Sequence, residues 1–245
     1  MTQPSVLLIR PREQALTLQQ QLLERGIYSD HYSFIDIVAN DAAAELLPVY
    51  QGQHWHGIIF VSRNAVDYAC QWWPQDWPAT QYFAVGPGTA CYAAKAIQQP
   101  VSCPWQQHNS ETLLTLPELK WVNQQQWLIV RGLGGRELIA DTLRARGAEV
   151  HYWQVYQRRQ KTVDGAQLLQ AWQNSITQIV VTSAEQLGYF LASLPQHALS
   201  WLQRCHWIVP GERIAGLIPF SSGDRITMTG SATDSAIIQA LTKGS

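Results

Sequence analysis

Six short runs of apolar residues, most of them β-branched or aromatic, punctuate the chain. They are VLLI at 6–9, GIIFV at 57–61, YFAV at 82–85, LIV at 128–130, QIVV at 178–181 and WIV at 207–209. Runs this short and this continuous predict strands buried on both faces. Between them apolar residues recur at helical spacing, as in Leu16, Leu18, Leu22 and Leu23 or in Leu138, Ile139 and Leu143. Gly26 and Gly147 stand where a helix-ending glycine belongs, just before the next strand. Strand and helix in alternation predict the α/β class, with parallel sheets flanked by helices on both faces.

The pattern occurs twice. An offset of 121 pairs Arg10 with Arg131, Leu22 with Leu143, Arg25 with Arg146 and Gly26 with Gly147, and further on Ser62 with Ser183 and Tyr68 with Tyr189. YFAVGPGTACYAAKA resembles HWIVPGERIAGLI at an offset of 124, and SETLLTL resembles DSAIIQAL. Single matches of Gly or Leu mean little. Four blocks in one order at nearly one offset predict two similar lobes made by duplication.

Composition narrows what such a protein does. The chain has 245 residues, 46% hydrophobic and 14% charged, enough for one large domain or two of roughly 120 residues. A net charge of -1 and a pI near 6.6 leave no basic field for nucleic acid. MTQPSVLLIR lacks the basic and apolar regions of a secretion signal, and no apolar run approaches the ~20 residues of a membrane span, so a cytoplasmic protein is expected. The tail LTKGS is expected to fray. Cys70, Cys91, Cys103 and Cys205 have neither CxxC spacing nor matching histidine pairs, so structural thiols are expected rather than zinc or disulfides. His54 and His56 read as solvated or capping histidines, and Trp72, Trp73 and Trp77 as packing residues at the surface or a helix end.

Ligands of parallel sheets bind outside the carboxyl ends of the strands. Here those ends carry RP at 10–11, SRN at 62–64, GPGT at 86–89, RGLGGR at 131–136, TS at 182–183 and PGER at 210–213. Small residues at helix starts leave backbone N–H groups open beside a partial positive charge, so several dispersed anion sites are expected along these edges. Facing edges of two lobes would make one cleft. Ordinary capping explains any one such loop, but not so many alike along these edges. RGLGGRE fails as a nucleotide loop: GxGxxG needs glycine where Glu137 stands, and a P-loop needs Gly-Lys-Ser/Thr. No acidic cluster, strand-end cysteine or Ser/His/Asp set offers itself for catalysis.

LLIRP, FVSRNAV, AVGPGTA, LIVRGLGGRELIADTLRARGAEV with VYQR after it, VVTSAEQL and SATDSAII, in this order and spacing, resemble the uroporphyrinogen-III synthase family over essentially the whole chain. The resemblance implies a cofactor-free, metal-free lyase. It would close hydroxymethylbilane, a linear tetrapyrrole with eight carboxylates, to uroporphyrinogen III, losing water and inverting ring D through an azafulvene cation and a spiro-pyrrolenine. Many acidic arms suit many dispersed anion sites. The substrate contacts then expected are Arg10, Ser62, Asn64, Gly86, Thr89, Ser110, Arg131, Gly132, Gly135, Arg136, Thr182, Ser183 and Arg213, with Arg10, Arg131, Arg136 and Arg213 as the charged ones. Arg63 and Arg144 or Arg146 read as helix-surface residues. Arg213 stands where the family often has threonine. Tyr156, the tyrosine of VYQR, is the expected proton donor to the departing hydroxyl, since a phenol is protonated at neutral pH.

Family architecture implies lobe 1 from 1–35 and 162–245, lobe 2 from 41–153, and a two-stranded linker near 36–40 and 154–161, thin enough to hinge. A monomer is expected, with neither nucleic acid nor membrane as partner. The resemblance allows a transient contact with the preceding enzyme of the pathway. Two other classes fit parts of this pattern: a cytoplasmic two-lobed protein that binds a polyanion without turnover, and a nucleotide-dependent enzyme.

Overall fold

The computed structural model describes residues 5–73, 76–105, 109–219 and 223–243. The secretion-signal reading rests partly on residues 1–4, and the frayed tail partly on Gly244 and Ser245, which lie outside the described residues. Eleven strands are described: β1 (Val6–Ile9), β2 (Ser29–Tyr32), β3 (Ile35–Ala39), β4 (Gly57–Phe60), β5 (Gln81–Ala84) and β6 (Val101–Ser102), then β7 (Gln126–Gly132), β8 (Glu149–Gln160), β9 (Gln178–Val181), β10 (His206–Val209) and β11 (Ile226–Met228). Each of the six apolar runs falls on a strand. The chain divides into two compact units, one of Met1–Asp36 with Gln160–Ser245 and the other of Ile37–Arg159. No helix among the described residues is long and apolar enough to cross a membrane.

The first unit holds a five-stranded sheet in the order β11-β10-β9-β1-β2, parallel throughout. Alternation along β1 explains why its run is apolar without a break. Leu7 and Ile9 enter a cluster with Phe34, Trp172, Phe190, Trp201 and Trp207, while Val6 and Leu8 pack with Leu18, Leu22 and Ile237 on the opposite face. Helices therefore cover both sides.

The second unit holds a six-stranded sheet in the order β3-β8-β7-β4-β5-β6. Strands β4 to β8 pair in parallel. β3 does not follow them. Asn40 N–H donates to Val155 O at 3.1 Å and Lys161 N–H donates to Phe34 O at 2.9 Å, so residue numbers fall on one strand as they rise on the other. The sheet is mixed, where the sequence pattern predicts a parallel one, because β3 needs no crossover helix to meet the long β8 from the side. Ile58, Phe60, Leu128, Val130 and Trp153 form the core of one face, and Ile59, Phe83, Trp127 and Ile129 that of the other.

Trp73 and Trp77 correct the surface placement expected of them. They are packing residues, as expected, but both are buried, with rings stacked 4.8 Å apart; Trp73 caps helix Arg63–Trp72 against Trp153, and Trp77 lies against Phe60. Trp72 is half-buried at that helix's last position. Gly26 and Gly147 have left-handed backbones, φ 74° and 87°, as their place after a helix predicts. Burial pushes the Cys205 thiol up to about 12, which leaves it inert at neutral pH. His54 and His56 are exposed, and His56 Nδ1 accepts the Gln126 N–H at the opposite end of the sheet from the strand-end loops.

Candidate active site

In the second unit the carboxyl ends of β4 and β7 border a pocket of about 290 Å³. Its wall brings together Ser62, Ser110, Arg131, Gly132, Gly135, Arg136 and Tyr156 from the residues singled out in the sequence. Asn64, Gly86 and Thr89 occupy the starts of neighbouring helices without lining it. Arg10, Thr182, Ser183 and Arg213 belong to the first unit. A larger open concavity of about 430 Å³ lies beside helix Arg12–Leu23 and the start of β2, but apolar and amide side chains dominate it and no arginine lines it. Strand-end position and chemistry, rather than volume, select the smaller pocket.

The RGLGG loop is shaped by Arg131. Its guanidinium lies within the fold, donates to Glu137 Oε1 at 3.1 Å and to Gly134 O, and sits 4.7 Å from the centroid of the Tyr152 ring. Gly134 and Gly135 take φ of 75° and 102°, which lets the loop curl around that side chain. A Cβ on Gly135 would come within 2.7 Å of Arg131 Nη2. Arg136 instead points outward, 68% exposed, and pairs with Glu111 at 2.6 Å. In the first unit Arg10 is buried, donating to Asp234 at 2.8 Å and to Gln14 at 3.2 Å, and its Nε has no partner among the described residues. Arg213 is exposed on the short helix Glu212–Ala215. Arg10, Arg131 and Arg136 thus already hold a carboxylate of their own chain. Arg63 and Arg144 are exposed, as expected, whereas Arg146 is half-buried and ties down Leu114 O and Leu119 O.

Glu137 is held below the ordinary carboxylate range, first by the Tyr152 hydroxyl it accepts from and then by the charge of Arg131, against the opposing effect of burial. A depressed folded-state pKa means the contact contributes fully above the ordinary carboxylate value and is lost as pH falls through the lower folded one. Tyr152→Phe is expected to move the Glu137 midpoint upward in a carboxyl NMR titration. An unmoved midpoint would remove Tyr152 as the cause.

A bulge sets which face of the sheet Tyr156 joins. The β7–β8 register slips between Arg131, opposite Gln154, and Gly132, opposite Tyr156, leaving Val155 as the extra residue. Strict alternation would place Tyr156 on the face of Tyr152 and Val150; the bulge turns it onto the face of Trp153 and Val155. Its ring lies flat over Gly132, where a Cβ would sit 2.5 Å from a ring carbon, and 5.9 Å from the Tyr68 ring. Its hydroxyl stands 3.3 Å from Ser62 Oγ, which also caps helix Arg63–Trp72 by accepting the Ala65 N–H at 3.1 Å. Sequence reasoning missed Tyr152 and Arg158, which also line the pocket. Arg158, two positions beyond Tyr156, follows from strand alternation once the bulge is passed. Nothing in the sequence marks Tyr152. Asn109, not Ser110, caps helix Ser110–Leu113, accepting the Thr112 N–H at 2.8 Å.

Comparison with known proteins shows the family. The family model described as uroporphyrinogen-III synthase HemD matches residues 17–237. The uroporphyrinogen-III synthase of Escherichia coli K12 is 35% identical over 244 residues, covering 97% of this chain and 99% of that protein. That of Salmonella typhimurium LT2 is 34% identical with the same coverage. Among solved structures, uroporphyrinogen-III synthetase from Helicobacter pylori superposes with a TM-score of 0.59 at 13% identity, covering 99% of this chain and 100% of that one. A mutant uroporphyrinogen III synthase from Thermus thermophilus gives 0.54 at 14%, covering 98% of each chain. These structural likenesses bear on the fold.

Proposed function

Because the chain belongs to the uroporphyrinogen-III synthase family, we infer that it closes hydroxymethylbilane to uroporphyrinogen III with loss of water. The observation that carries this reading is the phenol of Tyr156 at a strand-end pocket walled by an arginine-glycine loop. Tyr156 donates its proton to the hydroxyl of the bilane as the carbon–oxygen bond breaks, and water departs. The pyrrole nitrogen supplies the electron pair, giving an azafulvene cation. The substituted carbon of ring D attacks it to form the spiro-pyrrolenine, which reopens and recloses with ring D inverted. The ring-closing carbon then loses a proton, which restores the phenol. Water is the one co-product, so the balance needs no oxidant or reductant. The protein's larger task is to hold ring D where that attack is possible, a matter of orientation.

The acidic arms are met by dispersed donors. Arg131, Arg136, Ser110 and the amides of Gly132 and Gly135 serve the pocket of the second unit, Asn64, Gly86 and Thr89 the adjoining helix starts, and Arg10, Thr182, Ser183 and Arg213 the strand ends of the first. Each charge-assisted hydrogen bond contributes roughly 1.5–3 kcal/mol. The two loop arginines differ in burial, so their loss should differ too. Arg131→Ala is expected to raise KM about tenfold, since it removes a donor and unties the loop. Arg136→Ala should raise it about threefold, as an exposed pair is worth little. Equal effects in steady-state kinetics would contradict this. We place the reaction in the cytoplasm.

The test of the whole reading is to supply hydroxymethylbilane, oxidise the products to porphyrins and measure the III:I isomer ratio. An excess of isomer III, unchanged by added nucleotide, is expected. Isomer I alone, formed at the spontaneous rate, would leave a polyanion-binding protein without turnover.

A further inference from the structure

The Ser62 hydroxyl does two things at once. A hydroxyl has one proton to donate and room to accept twice. Ser62 Oγ accepts the Ala65 N–H at 3.1 Å, and the Tyr156 hydroxyl lies 3.3 Å away as its other neighbour. The phenol is held beside that neighbour by its packing. Its ring is pressed on Gly132 and packed beside Tyr68, whose own hydroxyl is tied to Ile37 O at 2.7 Å, and its backbone carbonyl accepts the Leu133 N–H at 2.7 Å. Ser183, the counterpart of Ser62 in the repeat, caps its helix in the same way by accepting the Gln186 N–H, but the residue 121 positions before Tyr156 is Ile35. The capping role is therefore shared by both halves and the phenol contact belongs to one.

We propose that Ser62 is a positioning residue for Tyr156: it donates its hydroxyl proton to the phenol oxygen, leaving the phenol proton free for the departing hydroxyl of the substrate. The inference rests on the reading of Tyr156 as the proton donor. When the phenol gives up its proton, the hydrogen bond from Ser62 stays in place and strengthens, because its acceptor becomes a phenolate. That is stabilisation felt more in the transition state than in the ground state, so it acts on kcat rather than on KM. The proton returns to the phenol when the ring-closing carbon loses one, and Ser62 ends each turnover unchanged.

Steady-state kinetics with hydroxymethylbilane on Ser62→Ala, Ser62→Gly, Ser62→Thr, Tyr156→Phe and the double variant Ser62→Ala/Tyr156→Phe decide the matter. Alanine and glycine should each lower kcat about tenfold with KM little changed. Glycine serves as the second variant because it tolerates a helix start nearly as well as serine. Threonine keeps both the cap and the donor and should restore turnover. The double variant should turn over no more slowly than Tyr156→Phe alone, since Ser62 then has no phenol to serve. If the loss from Ser62→Ala recurs in full on top of Tyr156→Phe, or appears in KM alone, Ser62 does not act through Tyr156 and the inference falls while the reading of Tyr156 stands. Wild-type turnover in Tyr156→Phe would instead sink the reading of Tyr156, and Ser62 with it.

Discussion

Tyr156→Phe is expected to lower turnover about a hundredfold while the product stays enriched in isomer III. Positioned general acids contribute typically 10²–10⁴-fold, and the lower end applies because an electron-rich bilane sheds its hydroxyl readily. Phenylalanine keeps the ring, so the packing on Gly132 and Tyr68 and the burial in the Trp153 cluster remain. What disappears is one O–H at the pocket wall. Isomer choice depends on how the bilane is held, not on that proton, so rate and isomer ratio should separate. Measuring both on one sample checks the division of labour. Turnover within about twofold of wild type would remove Tyr156 from the mechanism, and a collapse of the isomer ratio would mean that its hydroxyl also orients ring D.

Gly132→Ala should do comparable damage without touching a reacting group. The added methyl would meet the Tyr156 ring at 2.5 Å and 2.6 Å, closer than real Cβ contacts come, and the ring is buried with Trp153 and Val155 in its cluster. Either the ring moves or the bulged strand does. Overpacking of this kind costs about 1–3 kcal/mol of stability, and a displacement near 1 Å can lower a rate on the order of a hundredfold. Gly134→Ala is the control. Its Cβ would meet nothing within 4 Å, although its φ of 75° still strains the loop. Thermal denaturation with isomer-resolved kinetics on both variants tests the claim. A Gly132→Ala protein as stable and active as wild type would show that the Tyr156 ring has room to recede.

The apolar runs made the fold legible because each central strand is buried on both faces, which leaves a continuous mark in the sequence. Three of the four edge strands left none. β2 is SDHY, β6 has two residues and β11 is ITM, all short and half-exposed, so neither period nor hydrophobicity separates them from loops. The strand-end loops were legible by residue type, and that type marks Ser62, Arg131, Gly132, Gly135 and Arg136, which line one pocket; Tyr156 came only from the family resemblance. Tyr152 was not legible, because it looks like any other aromatic on an amphipathic strand. The sequence was silent, too, on which cations are spoken for. Arg10 and Arg131 look alike as strand-end arginines at equivalent positions, yet one meets Asp234, 224 residues away, and the other meets Glu137, six residues on. Ion pairing across that separation leaves no local signature.

The discontinuity of the first unit shapes how this polypeptide is born. β1 is central in its sheet, flanked by β2 and β9, and β9 leaves the ribosome only after the whole Ile37–Arg159 segment has emerged. The intervening segment is contiguous and can collapse on its own schedule, while the amino-terminal strand waits with one edge bare. Closing that wait costs little extra entropy, because a loop already folded holds its ends at a fixed distance instead of sampling a coil. Synthesis from one end therefore favours an inside-out order, in which the middle of the message matures before its beginning.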